Sequence, residues 1–192
     1  PLAVLKMDEA PDYAVLEMAM RKRGEITELC AIAKPEIGVL TDISGSHLGV
    51  LGSIEEIAIA KSEILTALPP TGTAVASGDN PWVRRVSAVG SGRPVLFYGL
   101  SAGCDVRAVD VISLGAQGST FSARIRGEVW PFRLRVPGVH QVHNALAAVA
   151  IGVHLGIPYD KIRRGLENAV MSPWRLQVVV SNGITIINDA YN

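Results

Sequence analysis

The chain has 192 residues, 48% of them hydrophobic, and its 18 basic and 18 acidic side chains leave no formal net charge. That is enough chain for one substantial core, and the even charge gives no electrostatic reason to expect nucleic acid or an acidic membrane surface as partner. Two cysteines, Cys30 and Cys104, make no disulfide framework and fit a reducing compartment. No run approaches the ~20 apolar residues of a membrane span, and Pro1–Met7, with one lysine and then Asp8 and Glu9, does not read as a signal peptide.

The first two-thirds of the chain alternate strand and helix. Tyr13–Leu16 is a short apolar run, read as a strand closed by Glu17. Gly24–Ala33 follows a helical pattern with Ile26, Leu29, Cys30 and Ala33 on one side, which makes Cys30 a small core residue. Ile37–Leu40 is a strand of buried type, and His47 follows it after a glycine-containing loop. Ser53–Leu68 is the clearest helix, opened by Ser53 and Glu56 in an S-x-x-E capping box. Thr73–Ala76 reads as a strand, Asn80-Pro81 as an N-cap with proline at the first helical position, and Val95–Tyr98 as a further strand. Strands separated by helices in this way point to parallel βαβ units.

After Gly99 the pattern turns to β-hairpins. Val106–Ile112, Thr120–Ile125 and Val129–Val136 are strand-like, with Gly127-Glu128 between the last two. Helices return at Val142–Leu155 and Asp160–Ala169. Leu176–Val180 and Ile184–Ile187 then flank Asn182-Gly183, a tight-turn dipeptide. The sequence therefore predicts one α/β domain over residues 1–192, a mostly parallel sheet flanked by helices with an antiparallel β-rich part.

Open α/β sheets gather ligands at the carboxyl ends of their strands. Glu17, His47 and Asp189 fall at such ends in this reading, and Asn144 lies in the first turn of the helix that follows Gly138. A lone glutamate after a strand is commonly a solvated loop residue, and a lone histidine is commonly structural. The convergence of several on one edge favours a functional site. Lys61 is the most informative position. It lies on the apolar stripe of its helix with Ile54, Ile57, Ala58, Leu65 and Leu68. A lysine there either snorkels to water or sits buried with a partner, and burial would favour the neutral amine. A neutral amine can take up carbon dioxide as a carbamate, whose oxygens suit a hard cation such as magnesium. No G-x-x-x-x-G-K-S/T phosphate cradle occurs, and Gly90-Ser91-Gly92 lacks the lysine.

Several ordered segments carry a resemblance. Glu17-Met18-Ala19-Met20 with Arg23-Gly24-Glu25-Ile26, and His47-Leu48 with Leu51-Gly52-Ser53 and Ala60-Lys61-Ser62-Glu63, form the first half. Pro137-Gly138-Val139-His140 with Asn144-Ala145-Leu146-Ala147-Ala148, then Arg175-Leu176, then Ile187-Asn188-Asp189-Ala190-Tyr191-Asn192, form the second. In this order they resemble the central ATP-binding domain of the Mur ligase family, with a P-loop-NTPase-like fold. Within the family they look most like the branch that joins D-alanyl-D-alanine to UDP-N-acetylmuramoyl-tripeptide in peptidoglycan synthesis.

The resemblance implies roles. Glu17 and His47 would be magnesium ligands, and Lys61 a carbamylated lysine helping to hold a second magnesium. Asn144 would contact adenine, Arg175 the ATP phosphates and Asp189 the ribose, with His140, Tyr191 and Asn192 also at the nucleotide. The implied reaction is ATP-dependent amide formation through an acyl-phosphate, in the bacterial cytoplasm, with neither nucleic acid nor a membrane span involved. The resemblance also implies that residues 1–192 are an incomplete domain, with the P-loop expected before residue 1 and a C-terminal domain after residue 192, and that the piece alone is inactive. Gln141 and Asp42 stand where the family usually has asparagine, and Ser44-Gly45-Ser46 varies its lead-in to the histidine. A non-catalytic nucleotide-binding or interaction module built on the same fold is the alternative.

Overall fold

The computed structural model describes residues 4–7, 11–45, 48–90, 92–172 and 174–190. Its helices are α1 (Glu25–Ala33), α2 (Leu48–Leu51), α3 (Ile54–Thr66), α4 (Pro81–Gly90), α5 (Gln141–His154) and α6 (Tyr159–Glu167). Its strands are β1 (Ile37–Leu40), β2 (Thr73–Ser77), β3 (Val95–Gly99), β4 (Val106–Ser113), β5 (Ser119–Ile125), β6 (Glu128–Leu134), β7 (Gln177–Ser181) and β8 (Ile184–Asn188). The hydrogen-bonded order is β1-β2-β3-β4-β5-β6 in one mixed sheet, with β7-β8 a separate ladder. The chain divides into two compact units, Pro1–Leu96 and Phe97–Asn192.

In the first unit β1 and β2 run parallel, from Ile37 opposite Thr73 to Leu40 opposite Ala76. Ala74, Val75 and Ala76 have no exposed surface, as expected of a parallel strand covered on both faces. Helix α3 packs on β1, and α4 packs on β2 and α3. The α3 stripe buries Ile57, Ala58, Ala60 and Leu65 almost completely, and each large aliphatic among them contributes roughly 1.5–3 kcal/mol. Ser53 Oγ accepts the Glu56 N–H at 3.2 Å and starts α3, while the Glu56 carboxylate turns to Arg23 Nη1, 3.4 Å away. Pro81 opens α4 behind Asn80, as its sequence predicts.

The Tyr13–Leu16 strand is not formed. The run carries neither strand nor helix, and Tyr13 and Val15 are 62% and 97% exposed. A strand needs a neighbouring ladder to satisfy its N–H and C=O groups, and neither ladder of the described residues includes this run. Packing begins just beyond it. Met20 and Cys30 are buried, and the Cys30 thiol donates to Met18 Sδ at 3.7 Å. Cys30 is thus the core residue its helix pattern predicts.

In the second unit β4, β5 and β6 form an antiparallel meander, and Tyr98–Gly99 at the end of β3 pairs parallel with Val106–Arg107. Along β5, Ser119, Phe121, Ala123 and Ile125 are buried, while the alternate residues are not, the period of a half-buried strand. Phe121 stacks on Phe132 with centroids 5.4 Å apart, and Tyr159 of α6 meets Phe132 edge-on at 5.6 Å. Helix α5 covers β4 and β5, and α6 covers β6. The β5–β6 turn is Arg126-Gly127, one residue earlier than the sequence suggests, because Ile125 pairs directly with Glu128. Both turn residues have positive φ, 49° and 88°, as a two-residue type I′ turn requires. Asn182-Gly183 makes the same kind of turn between β7 and β8.

Candidate functional site

Lys61 lies in the middle of α3, half-buried, and its Nζ donates to the Asp42 carbonyl at 2.8 Å. It therefore neither simply snorkels nor is lost in the core: it has a backbone partner just beyond β1. Asn80 lies just beyond β2 and joins the same cluster. Its Nδ2 donates to Asp42 Oδ1 at 2.6 Å and to the Ile43 carbonyl at 2.8 Å. Its Oδ1 accepts the N–H groups of Trp82 and Val83 at 2.9 and 3.1 Å, so it also caps α4. Lys61, Asp42 and Asn80 thus meet at the carboxyl ends of a parallel strand pair, the edge where α/β folds bind ligands.

Two residues along α3, Glu63 faces α1. Its carboxylate accepts the Gly24 N–H at 2.6 Å and both the N–H and hydroxyl of Thr27 at 3.1 Å. Gly24 is the N-cap of α1 and has no side chain to cap it, so α3 supplies the cap. Glu25 accepts the N–H groups of Arg21 and Lys22 at 2.6 and 3.2 Å, and these bonds hold its carboxyl below the ordinary value. Burial, and secondarily the charge of Glu63, pushes the Cys30 thiol up, which keeps it protonated and unreactive.

Glu17 is exposed, and no hydrogen bond or ion pair among the described residues joins it to Lys61. Because Tyr13–Leu16 is not a strand, Glu17 does not close one. His47 lies outside the described residues. Among the described residues no cluster of three or more His, Cys, Asp or Glu side chains is placed to hold a metal.

In the second unit His140, Gln141 and Asn144 form a line along the first turn of α5. Asn144 Nδ2 donates to Gln141 Oε1 at 2.8 Å, and Gln141 Nε2 lies 3.3 Å from His140 Nε2. Gly138, at φ 98°, lies under the His140 ring: a Cβ there would come within 2.4 Å of Cε1. The Pro137-Gly138-Val139-His140 segment is thus shaped by that close approach. Asp189 follows β8, which belongs to the separate two-stranded ladder and not to the six-stranded sheet. Its Oδ1 accepts the Leu176 N–H at 3.2 Å, bringing the Arg175-Leu176 and Asn188-Asp189 segments together. Trp174 and Leu176, on either side of Arg175, have φ of 66° and 45°, a conformation that costs bulky residues energy. Tyr191 and Asn192 lie outside the described residues.

Sequence reasoning missed Asp42, Asn80 and Glu63 as site-building residues. Asn80 is legible as a cap, but one amide has two sides, and its bridge to Asp42 depends on the β1–β2 register. Glu63 left a signal: a glycine N-cap on α1 needs an outside acceptor.

The Mur ligase middle domain family matches residues 1–152 of the chain. The curated UDP-N-acetylmuramoyl-tripeptide–D-alanyl-D-alanine ligase of Bacillus subtilis (strain 168) is 37% identical over 193 residues, covering 100% of this chain and 41% of the relative. The protein of that name in Escherichia coli (strain K12) is 31% identical over 194 residues, covering 100% and 43%. Among solved structures, MurF from Acinetobacter baumannii superposes with a TM-score of 0.91 at 29% identity, covering 100% of this chain and 42% of that one. The Thermotoga maritima MurF ligase in complex with ADP gives 0.82 at 28% identity, covering 94% and 42%. The α/β fold is therefore that of a Mur-type middle domain. The chain belongs to the Mur ligase family, matching its middle domain. It spans about two-fifths of the length of the curated relatives it matches.

Proposed function

We propose that this chain is the nucleotide-binding middle part of a longer ATP-dependent ligase that joins D-alanyl-D-alanine to UDP-N-acetylmuramoyl-tripeptide in peptidoglycan synthesis. The observation that carries the reading is the likeness over the whole chain, at 37% identity, to a relative of that name. The reaction brings two anions together. A substrate carboxylate oxygen attacks the γ-phosphorus of ATP, the bond to ADP breaks, and an acyl-phosphate forms. The amine of the dipeptide then attacks the acyl carbon, phosphate leaves, and the nitrogen loses a proton. Magnesium, when bound, offsets the repulsion between carboxylate and triphosphate and the charge that develops during transfer.

In this reading Lys61, His47 and Glu17 form the catalytic metal-holding set. Magnesium is a hard cation and takes oxygen ligands. The exposed Glu17 carboxylate suits it, and Lys61 does so once its amine has become a carbamate. The Lys61–Asp42 contact supports this by holding the amine at the strand ends. In the second unit Asn144 faces adenine, Arg175 the phosphates and Asp189 the ribose, with His140, Tyr191 and Asn192 beside them. The bonded pairs Gln141–Asn144 and Asp189–Leu176 support the second group by fixing Asn144 and Asp189 in place. A bacterial cytoplasm, which supplies ATP, is the compartment this reading implies.

The test is product formation by the full-length protein with UDP-N-acetylmuramoyl-tripeptide, D-alanyl-D-alanine, ATP and magnesium, followed as phosphate release and amide mass. Lys61→Ala should lower turnover by about 100-fold or more, the scale of losing a charge-stabilising group at a reacting centre. A folded protein that binds ATP yet forms no amide would favour the non-catalytic module instead.

A further inference from the structure

We propose that Asn80 is a positioning residue for Lys61, acting through the Asp42 carbonyl; this rests on the reading of Lys61 as a functional lysine. All four hydrogen-bonding positions of the Asn80 amide are used, two donated to Asp42 Oδ1 and the Ile43 carbonyl and two accepted from Trp82 and Val83. Only one orientation of the amide satisfies them. Turned over, its oxygen would face two acceptors and its nitrogen two N–H donors. The amide therefore ties the start of α4 to the chain leaving β1.

The peptide that carries the Asp42 carbonyl lies between the two grips, on the Asp42 side chain and on the Ile43 carbonyl. That carbonyl receives Lys61 Nζ at 2.8 Å. Asp42 supplies the first of these grips through its side chain. Its carboxyl group accepts the Asn80 N–H at 2.6 Å, and, unlike an amide, it needs no particular orientation to present an oxygen.

The clamp serves both states of the lysine. In carbamate formation the Nζ lone pair bonds to the carbon of carbon dioxide, one C=O pair moves onto oxygen, and a nitrogen-bound proton leaves to water. One N–H remains on the nitrogen. The Asp42 carbonyl can accept it as it accepts the amine, so a fixed carbonyl limits the directions in which the new carboxylate can point.

Two substitutions in the full-length protein separate this role from simple capping. Asn80→Ser keeps an N-cap oxygen for α4 but is too short to bridge to Asp42. Asp42→Ala removes one grip and leaves the α4 cap untouched. The probe is reductive methylation of lysines in carbon-dioxide-free buffer, read by peptide mass spectrometry, with exposed Lys161 as internal reference. Asn80→Ser should raise Lys61 labelling relative to Lys161 by about five-fold, the scale of one net hydrogen bond, and Asp42→Ala should raise it in the same direction. Wild-type labelling ratios in both variants overturn the proposal. A separate carbon-13 bicarbonate NMR measurement on the wild type reads the carbamate directly. Its absence defeats the carbamate reading of Lys61, while the labelling ratios still decide the clamp.

Discussion

Replacing Glu63 with alanine tests how the first unit is held together. Its carboxylate supplies the α1 cap that Gly24 cannot, accepting from Gly24 N, Thr27 N and Thr27 Oγ1. Losing a cap costs about 1 kcal/mol. Losing a negative charge beside a helix N-terminus costs roughly a further 0.3–1 kcal/mol. Part of this cluster is exposed, so water replaces some of what is lost, and the expected penalty is about 1.5 kcal/mol. For the local opening of α1 that corresponds to roughly ten-fold faster amide exchange. Glu63→Gln keeps an acceptor oxygen without the charge and should show about a third to a half of the effect. The assay is hydrogen exchange on the full-length protein, comparing peptides from α1 and β2. Cys30 gives a second readout: with the charge of Glu63 gone, one of the causes that raise its thiol is removed, so modification by a maleimide should quicken. Exchange in α1 within two-fold of wild type in Glu63→Ala, or an equal rise in β2, would show that Glu63 does not cap α1.

Two further outcomes follow from the site geometry. Gly138→Ala places a Cβ 2.4 Å from His140 Cε1 at a φ of 98°, so the ring must move and the variant should lose roughly 1–2 kcal/mol; fluorescent-nucleotide titration should then show weaker binding, and unchanged affinity would count against His140 at the nucleotide. Glu25 favours the folded state while ionised, because its folded value lies below the ordinary 4.5; that contribution is complete above 4.5 and is lost as pH falls through the lower folded value, so in acid titrations followed by circular dichroism Glu25→Gln should lose less stability than wild type over that window.

Much of the fold was legible because its signals are local. Ser53 and Asn80-Pro81 start their helices as read, the alternation of β5 matches its burial, and Asn182-Gly183 turns where expected. Tyr13–Leu16 misled because an apolar run specifies a strand only when a neighbour pairs with it. The β5–β6 turn slipped by one residue because the left-handed pair begins at Arg126, a residue type that does not announce such a conformation. The site was legible in part. Lys61 stood out as a charge on an apolar stripe, and the structure gives it a partner at the strand ends. That partner is a backbone carbonyl, and no side-chain pattern encodes which carbonyl a lysine will meet. Glu17 and Asp189 do not close strands of the six-stranded sheet, since one follows no strand and the other follows β8 of a separate ladder.

Helix geometry explains why Ala60-Lys61-Ser62-Glu63 works as a unit. Residues two apart on an α-helix point about 200° from each other. Lys61 therefore reaches the chain leaving β1, while Glu63 reaches the start of α1 on the other side. Ala60 and Leu65, fully buried, fix the rotation of α3 between the two. A turn of α3 about its axis would pull Lys61 from Asp42 and Glu63 from Gly24 together. The Arg23-Gly24-Glu25-Ile26 segment, which is capped by α3 and also meets it through the Arg23–Glu56 pair, thus shares one mechanical constraint with the lysine. Segments that lie about forty residues apart in the chain are in this sense parts of a single device, and its common member is the rotational setting of α3.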